Sequence, residues 1–133
     1  MEKYLIDTNV LIAHFKGSEE ATNFLIHTPN CFISYVTVGE LIQGAKNKRE
    51  INIVMRSIRV FEINWGSTTI QKLAVNLLEN YNSQTRLGLL DALISATAIA
   101  EGATLVTLNK RHFKQIRNLK IMTHLDRLVA KGN

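Results

Sequence analysis

Leu89-Leu90-Asp91-Ala92-Leu93-Ile94-Ser95-Ala96-Thr97-Ala98-Ile99-Ala100-Glu101-Gly102-Ala103-Thr104-Leu105-Val106-Thr107 is the stretch that decides the fold. Leu89 to Ala100 is largely apolar, so as a helix it needs cover on more than one side. Gly102 stands where a C-cap takes the left-handed backbone. Thr104 to Thr107 is rich in β-branched and apolar residues and reads as a short buried strand. A helix that feeds a strand in this way is half of a crossover unit.

The same alternation recurs outward from this stretch. Tyr4-Leu5-Ile6 predicts a first strand, and Val10 to Ala13 with Phe15 a short helix. Ser18 with Glu19 and Glu20 starts a helix that buries Ala21, Phe24 and Leu25. Cys31 to Tyr35 predicts a second strand, and Thr37-Val38-Gly39-Glu40 opens the next helix. Ile51, Val54, Met55 and Ile58 recur at i, i+3, i+4 and i+7, an amphipathic helix. Val60 to Ile63 predicts a third strand. After Ser67, the residues Ile70, Leu73, Ala74, Leu77, Leu78 and Tyr81 keep a helical period. Asn82 to Gly88 reads as a loop, Thr104 to Thr107 as a fourth strand and Lys120 to Met122 as a fifth. Strands separated by helices imply right-handed crossovers, a parallel sheet and helices on both faces. The expected class is α/β, a three-layer α/β/α sandwich around a central parallel sheet of about five strands. With one Pro and no linker or low-complexity tract, residues 1–133 are expected to form one domain.

Composition narrows the function. Apolar residues make up 46% of the chain, ordinary for a globular protein. The longest uncharged apolar run, Ala92 to Ala100, is too short to cross a bilayer, so no membrane partner is expected. The chain enters its first strand without a basic leader or a small-residue cleavage site, so a cytoplasmic protein is expected. The single Cys31 reads as a buried free thiol. The net charge of +5 suits a polyanionic partner, as it also suits an ordinary basic surface. Its placement favours the former. One cluster is Lys46, Lys48, Arg49, Arg56 and Arg59; another is Lys110, Arg111, Lys114, Arg117 and Lys120.

Three acids adjoin apolar runs: Asp7 after Tyr4-Leu5-Ile6, Glu40 before Leu41-Ile42, and Asp91 between Leu89-Leu90 and Ala92-Leu93-Ile94. Charge beside a core is unfavourable unless paired or bound to a cation. Each acid has an innocent reading as well. Asp7 can cap a helix, Thr37-x-x-Glu40 matches a capping box, and Asp91 near a helix start suits the macrodipole. Capping alone does not require three acids facing one point. If they converge, they form an oxygen-donor site for Mg²⁺ or Mn²⁺. Such an ion activates water against a phosphodiester. The four scattered histidines make no zinc pattern. Ligands of parallel α/β sheets bind beyond the carboxyl ends of the strands, where Asp7 and Asn109 are expected.

Asp7-Thr8-Asn9, Thr37-x-x-Glu40-Leu41, Leu90-Asp91-Ala92-Leu93-Ile94 and Thr107-x-Asn109-x-x-His112-Phe113 occur in order over essentially the whole chain. This set resembles the PIN domain, and specifically the small VapC-type toxins of toxin–antitoxin pairs. The resemblance implies an α/β/α sandwich and a Mg²⁺- or Mn²⁺-dependent endoribonuclease acting on structured RNA, transfer or ribosomal. It implies that Asp7, Glu40 and Asp91 are the catalytic, metal-binding acids, with Asp7 central. It implies support from Thr8 and Asn9, and that Asn109 completes the pocket. Its partners would be an RNA substrate, a cognate antitoxin that covers the acidic pocket, and a second copy in a homodimer. The helices at Ala21–Leu25 and Ile51–Ile58 either offer the antitoxin a groove or face the core.

One departure stands out: many PIN domains carry a fourth acid where this chain has His112. Histidine is a poor substitute for an anionic Mg²⁺ ligand, so a second tightly held metal is in question. His112 also reads as a polar neighbour of Phe113. Arg86, ahead of the Asp91 helix, reads either as a phosphate contact or as a solvated loop residue. Ser95 joins the pocket or bonds its own helix backbone. Tyr35 and Trp65 read as core packing more than as base-stacking surfaces. The rival function is a catalytically inactive RNA-binding module with the same fold. A receiver domain is disfavoured, because Phe61-Glu62-Ile63-Asn64 offers no phosphoacceptor aspartate after the third strand.

Overall fold

Neighbouring residues of each strand serve opposite layers, so the strands must be apolar on both faces. Leu5, Phe32 and Leu105 face one core; Tyr4, Ile6, Ile33 and Val106 face the other. That is the period of two expected of a parallel sheet covered on both sides. The computed structural model describes residues 1–81, 86–123 and 125. Its strands are β1 (Tyr4–Ile6), β2 (Cys31–Ser34), β3 (Glu62–Asn64), β4 (Thr104–Val106) and β5 (Lys120–Met122). All pairings are parallel, in the order β3-β2-β1-β4-β5.

The helices are α1 (Thr8–Phe15), α2 (Glu19–His27), α3 (Tyr35–Gly44), α4 (Lys48–Ser57), α5 (Thr68–Tyr81) and α6 (Leu89–Glu101). Ile70, Ala74 and Leu77 of α5 pack with Ala92, Ile94 and Ala96 of α6 over one face of the sheet. Val10 and Leu11 of α1, Ala21 and Phe24 of α2, and Val38 and Leu41 of α3 cover the other. The three-layer α/β/α arrangement is the one expected. Among the described residues no helix is long and apolar enough to cross a membrane.

Helix boundaries follow local chemistry. Ser18 caps α2 by accepting from the Ala21 N–H, and Gly102 ends α6 at φ +62°. Five expectations need correction. The helix expected to open at Thr37 begins two residues earlier, because Ser34 leaves β2 and accepts the Val36 N–H at 3.0 Å. The second strand therefore stops at Ser34. The third strand is Glu62–Asn64 rather than Val60–Ile63, since Ile58 buries itself in a 3-10 turn, Ile58–Val60, and leaves Val60 exposed. Cys31 is half-buried, and burial pushes its thiol up to about 12. Trp65, expected in the core, is 70% exposed beyond the end of edge strand β3. Of the loop expected over Asn82 to Gly88, residues 82–85 lie outside the described residues.

The strand order positions the site. The chain leaves β1 for β2 on one side, and β4 docks on the other. The carboxyl ends of β1 and β4 therefore flank a switch point, where parallel sheets open a crevice. Because α6 runs back against the sheet before β4, its first turn reaches the same edge.

Candidate active site

Asp7 is both a cap and something more. It ends β1 and caps α1, with the Thr8 N–H donating to Oδ1 at 2.8 Å. Its other oxygen, Oδ2, accepts from the Thr107 hydroxyl at 2.8 Å. The residue is only 8% exposed. A buried carboxylate is tolerated when its lone pairs are satisfied, and several kcal/mol are at stake otherwise.

Thr107 is the residue that sequence reasoning left without a role. It is fully buried at the end of β4. Its hydroxyl accepts from Asn9 Nδ2 at 3.3 Å and from the Asn109 N–H at 3.0 Å. A hydroxyl has two acceptor positions and one proton. With both acceptor positions taken, the proton goes to Asp7, so the network favours the ionised carboxylate. The signal was the register: β1 pairs Ile6 with Val106, which sets Asp7 and Thr107 side by side. That pairing follows only from the strand order. Asn9 adds a second tie, accepting the Leu108 N–H at 3.1 Å.

Glu40 arrives from α3. It does not close a capping box on Thr37; its Oε1 accepts from the Thr8 hydroxyl at 2.7 Å. The Thr8 and Thr37 oxygens are 3.0 Å apart. Thr8 has one proton and gives it to Glu40, so the hydrogen between the threonines comes from Thr37. Thr8 thus links two acids, through its N–H to Asp7 and through its hydroxyl to Glu40.

Asp91 sits in the first turn of α6, and Oδ2 meets His112 Nδ1 at 3.1 Å. Both residues are partly exposed. His112 therefore partners an acid, and its ring is only tilted against Phe113. Ser95 takes the plainer of its two readings, donating to the Asp91 carbonyl one turn back at 2.9 Å. Asn109, Arg86, Arg111 and His112 line an open basin of about 570 Å³ beside this pair. Tyr35 packs against the core, as expected.

The charges act on one another. Burial holds the Asp7 carboxyl above the usual carboxylate value, the Thr107 hydroxyl and the Thr8 N–H pull it down, and the charges of Asp91 and Glu40 push it up again. Asp7 thus lies within the field of both other acids. The donor set is carboxylate oxygen, which suits a hard divalent ion and not a soft one. Among the described residues, no three His, Cys, Asp or Glu side chains close into a ready-made cage. Mg²⁺ keeps several of its waters, so an open set with few direct contacts is compatible with it.

Comparison with known proteins places the fold in a family. The PIN domain model matches residues 4–119. A ribonuclease VapC10 of Mycobacterium tuberculosis is 35% identical over 120 residues, 87% of this chain and 90% of the relative. A toxin–antitoxin complex from Klebsiella pneumoniae contains a chain of similar structure, with TM-score 0.78, 33% identity and coverage of 91% and 97% of the two chains. The DNA-bound VapBC of Salmonella typhimurium superposes with TM-score 0.80 at 29% identity, covering 92% and 98%.

Proposed function

The chain belongs to the PIN-domain family, and from that premise we propose that it is a divalent-metal-dependent endoribonuclease, the toxin of a toxin–antitoxin pair. It hydrolyses phosphodiester bonds in structured RNA, of the transfer or ribosomal class, and residues 1–133 act as one domain. The observation that carries this reading is the buried Asp7 carboxylate, held as an acceptor by Thr107 and by the Thr8 N–H, and lying in the field of Glu40 and Asp91.

The three acids would hold Mg²⁺ or Mn²⁺, Asp7 centrally and the other two directly or through water. When bound, that ion supplies an activated water and neutralises charge on the leaving oxygen. The residues of the chain do the rest. Thr107 and the Thr8 N–H keep Asp7 in one orientation. Thr8 holds Glu40 at 2.7 Å, and His112 steadies Asp91 at 3.1 Å. Asn9 locks the start of α1 to the segment after β4.

An antitoxin would cover this edge. A largely apolar groove of about 390 Å³ lies between α1, α3 and α4, lined by Ile12, Phe15, Leu41, Ala45 and Val54, with Glu40 in its wall. An amphipathic segment seated there would approach the acids. The chain without its antitoxin is a homodimer in this reading; a monomer at micromolar concentration by light scattering would count against it.

The test is cleavage of mixed transfer and ribosomal RNA with Mg²⁺, Mn²⁺ or EDTA, using antitoxin-free protein beside Asp7→Asn. Discrete fragments that require both metal and Asp7 are expected. A folded parent chain that binds RNA but never cuts it would establish the binding-module reading instead.

A further inference from the structure

The basin beside the acids is lined by Arg86, Asn109, Arg111 and His112, with a volume of about 570 Å³. Arg86 lies just ahead of α6, and Arg111 lies in the 3-10 turn Lys110–His112 after β4. These segments are distant in sequence and meet because α6 starts, and β4 ends, at one edge of the sheet. The ion pairs of the described residues are Lys3 with Glu101 and His112 with Asp91. Neither arginine takes part in one. The carboxylate of Asp91 is engaged by the basin residue His112 rather than by an arginine.

Two guanidinium groups without acid partners among the described residues, on the wall of one concave polar surface, match the planar bidentate geometry of a phosphodiester oxygen pair. Resting on the ribonuclease reading, we infer that this basin is a phosphate subsite. It grips the RNA backbone at a linkage neighbouring the one cut, on the β4 side of the acids. Arg111 and Arg86 supply the charge, and Asn109 supplies a neutral polar wall. The one ring in its lining, His112, is engaged with Asp91, so the subsite positions the strand through its backbone. Its role would be to hold an anionic strand beside three carboxylates that repel it.

The experiment is equilibrium binding of a fluorescein-labelled single-stranded RNA in EDTA, where cleavage is suppressed, across a salt series. Arg86→Gln, Arg111→Gln and the double variant are compared with the parent chain. Lys72→Gln, exposed on α5 and outside both basic clusters, removes an equal charge elsewhere as a control. Each basin variant is expected to weaken binding about threefold or more and to lower the salt slope by roughly 0.7. Lys72→Gln is expected to leave the slope unchanged, and Arg111→Lys to keep most of it. All these side chains are exposed, and circular dichroism checks that the variants fold. If the parent binds and cleaves RNA but the basin variants keep its affinity and slope, the subsite is overturned and the ribonuclease reading stands. If Lys72→Gln lowers the slope as much as Arg111→Gln does, the site is diffuse charge and the inference is overturned. A parent chain that neither binds nor cuts RNA overturns both.

Discussion

Helices α6 and α4 both signal apolar surface that needs cover, α6 along most of its length and α4 along one stripe, and they meet different fates. In α6 every residue from Ala92 to Ala98 is buried, between α5 and the sheet. In α4 none is buried, although Ile51, Val54 and Met55 keep the apolar spacing; Ile58 buries itself only past the helix end. Apolar periodicity states that a face needs cover, not what covers it. For α6 the cover is this chain. For α4 the described chain provides little, and the groove against α1 and α3, with Glu40 in its wall, stays open. The two helices also lie on opposite faces of the sheet. One face brings Asp91 to the site from the exposed first turn of a helix packed from Ala92 to Ala98. The other brings Glu40 from a helix that borders the open groove.

Substitutions can break that contrast. The largest effect is expected at Ile94, which is 1% exposed. Ile94→Ala should lower unfolding free energy by about 2–5 kcal/mol in a urea titration, whereas Val54→Ala on α4 should lower it by less than about 1 kcal/mol. Equal losses would erase the distinction between the helices.

Thr107→Val tests whether the two faces are tied together at Asp7. It leaves Asn9 Nδ2, the Asn109 N–H and Asp7 Oδ2 without their partner. A loss of about 1–3 kcal/mol is expected, with RNA cleavage reduced and both restored in large part by Thr107→Ser. Failure of the serine to rescue would assign the effect to the methyl group.

Asp7 adds a pH dependence. Its carboxyl is held above the ordinary value, chiefly by burial. The folded state therefore favours the protonated form. The resulting stability is present below the ordinary carboxylate value and is lost as pH rises through the raised one. Relative to the parent in EDTA, Asp7→Asn should gain stability as pH rises over that window, measured by urea midpoints. A constant difference would refute the burial effect.

The smallest change in stability is expected on α4. Met55→Lys should shift unfolding free energy by no more than about 0.5 kcal/mol, since the side chain is already 37% exposed. Loss of stability there would mean that α4 is covered by its own chain.

Much of this molecule is legible from local chemistry. Ser18 and Gly102 mark helix ends because capping satisfies backbone groups within a few residues. Asp7, Glu40 and Asp91 stand out because each charge interrupts an apolar run. Where local signals misled, a longer-range contact had won. Val60 and Phe61 look like strand, but the burial of Ile58 turns the chain first. Thr37-x-x-Glu40 looks like a capping box, but Ser34 takes the cap and Thr8 takes Glu40. Trp65 looks like core, but β3 is the edge of the sheet, and among the described residues no strand lies beyond it.

The amino-acid order by itself determined the alternation of buried strands and helices, the parallel sheet they require, and three acids at core boundaries. Apolar spacing and caps act within a turn or two, so they can be read along the chain. Only the tertiary structure decided that Thr107 donates to Asp7 across 100 residues, that His112 answers Asp91, and that Arg86 and Arg111 share one basin. Those contacts depend on which strands are neighbours and in what register. That choice is made by the packing of both sheet faces at once, not by any one segment.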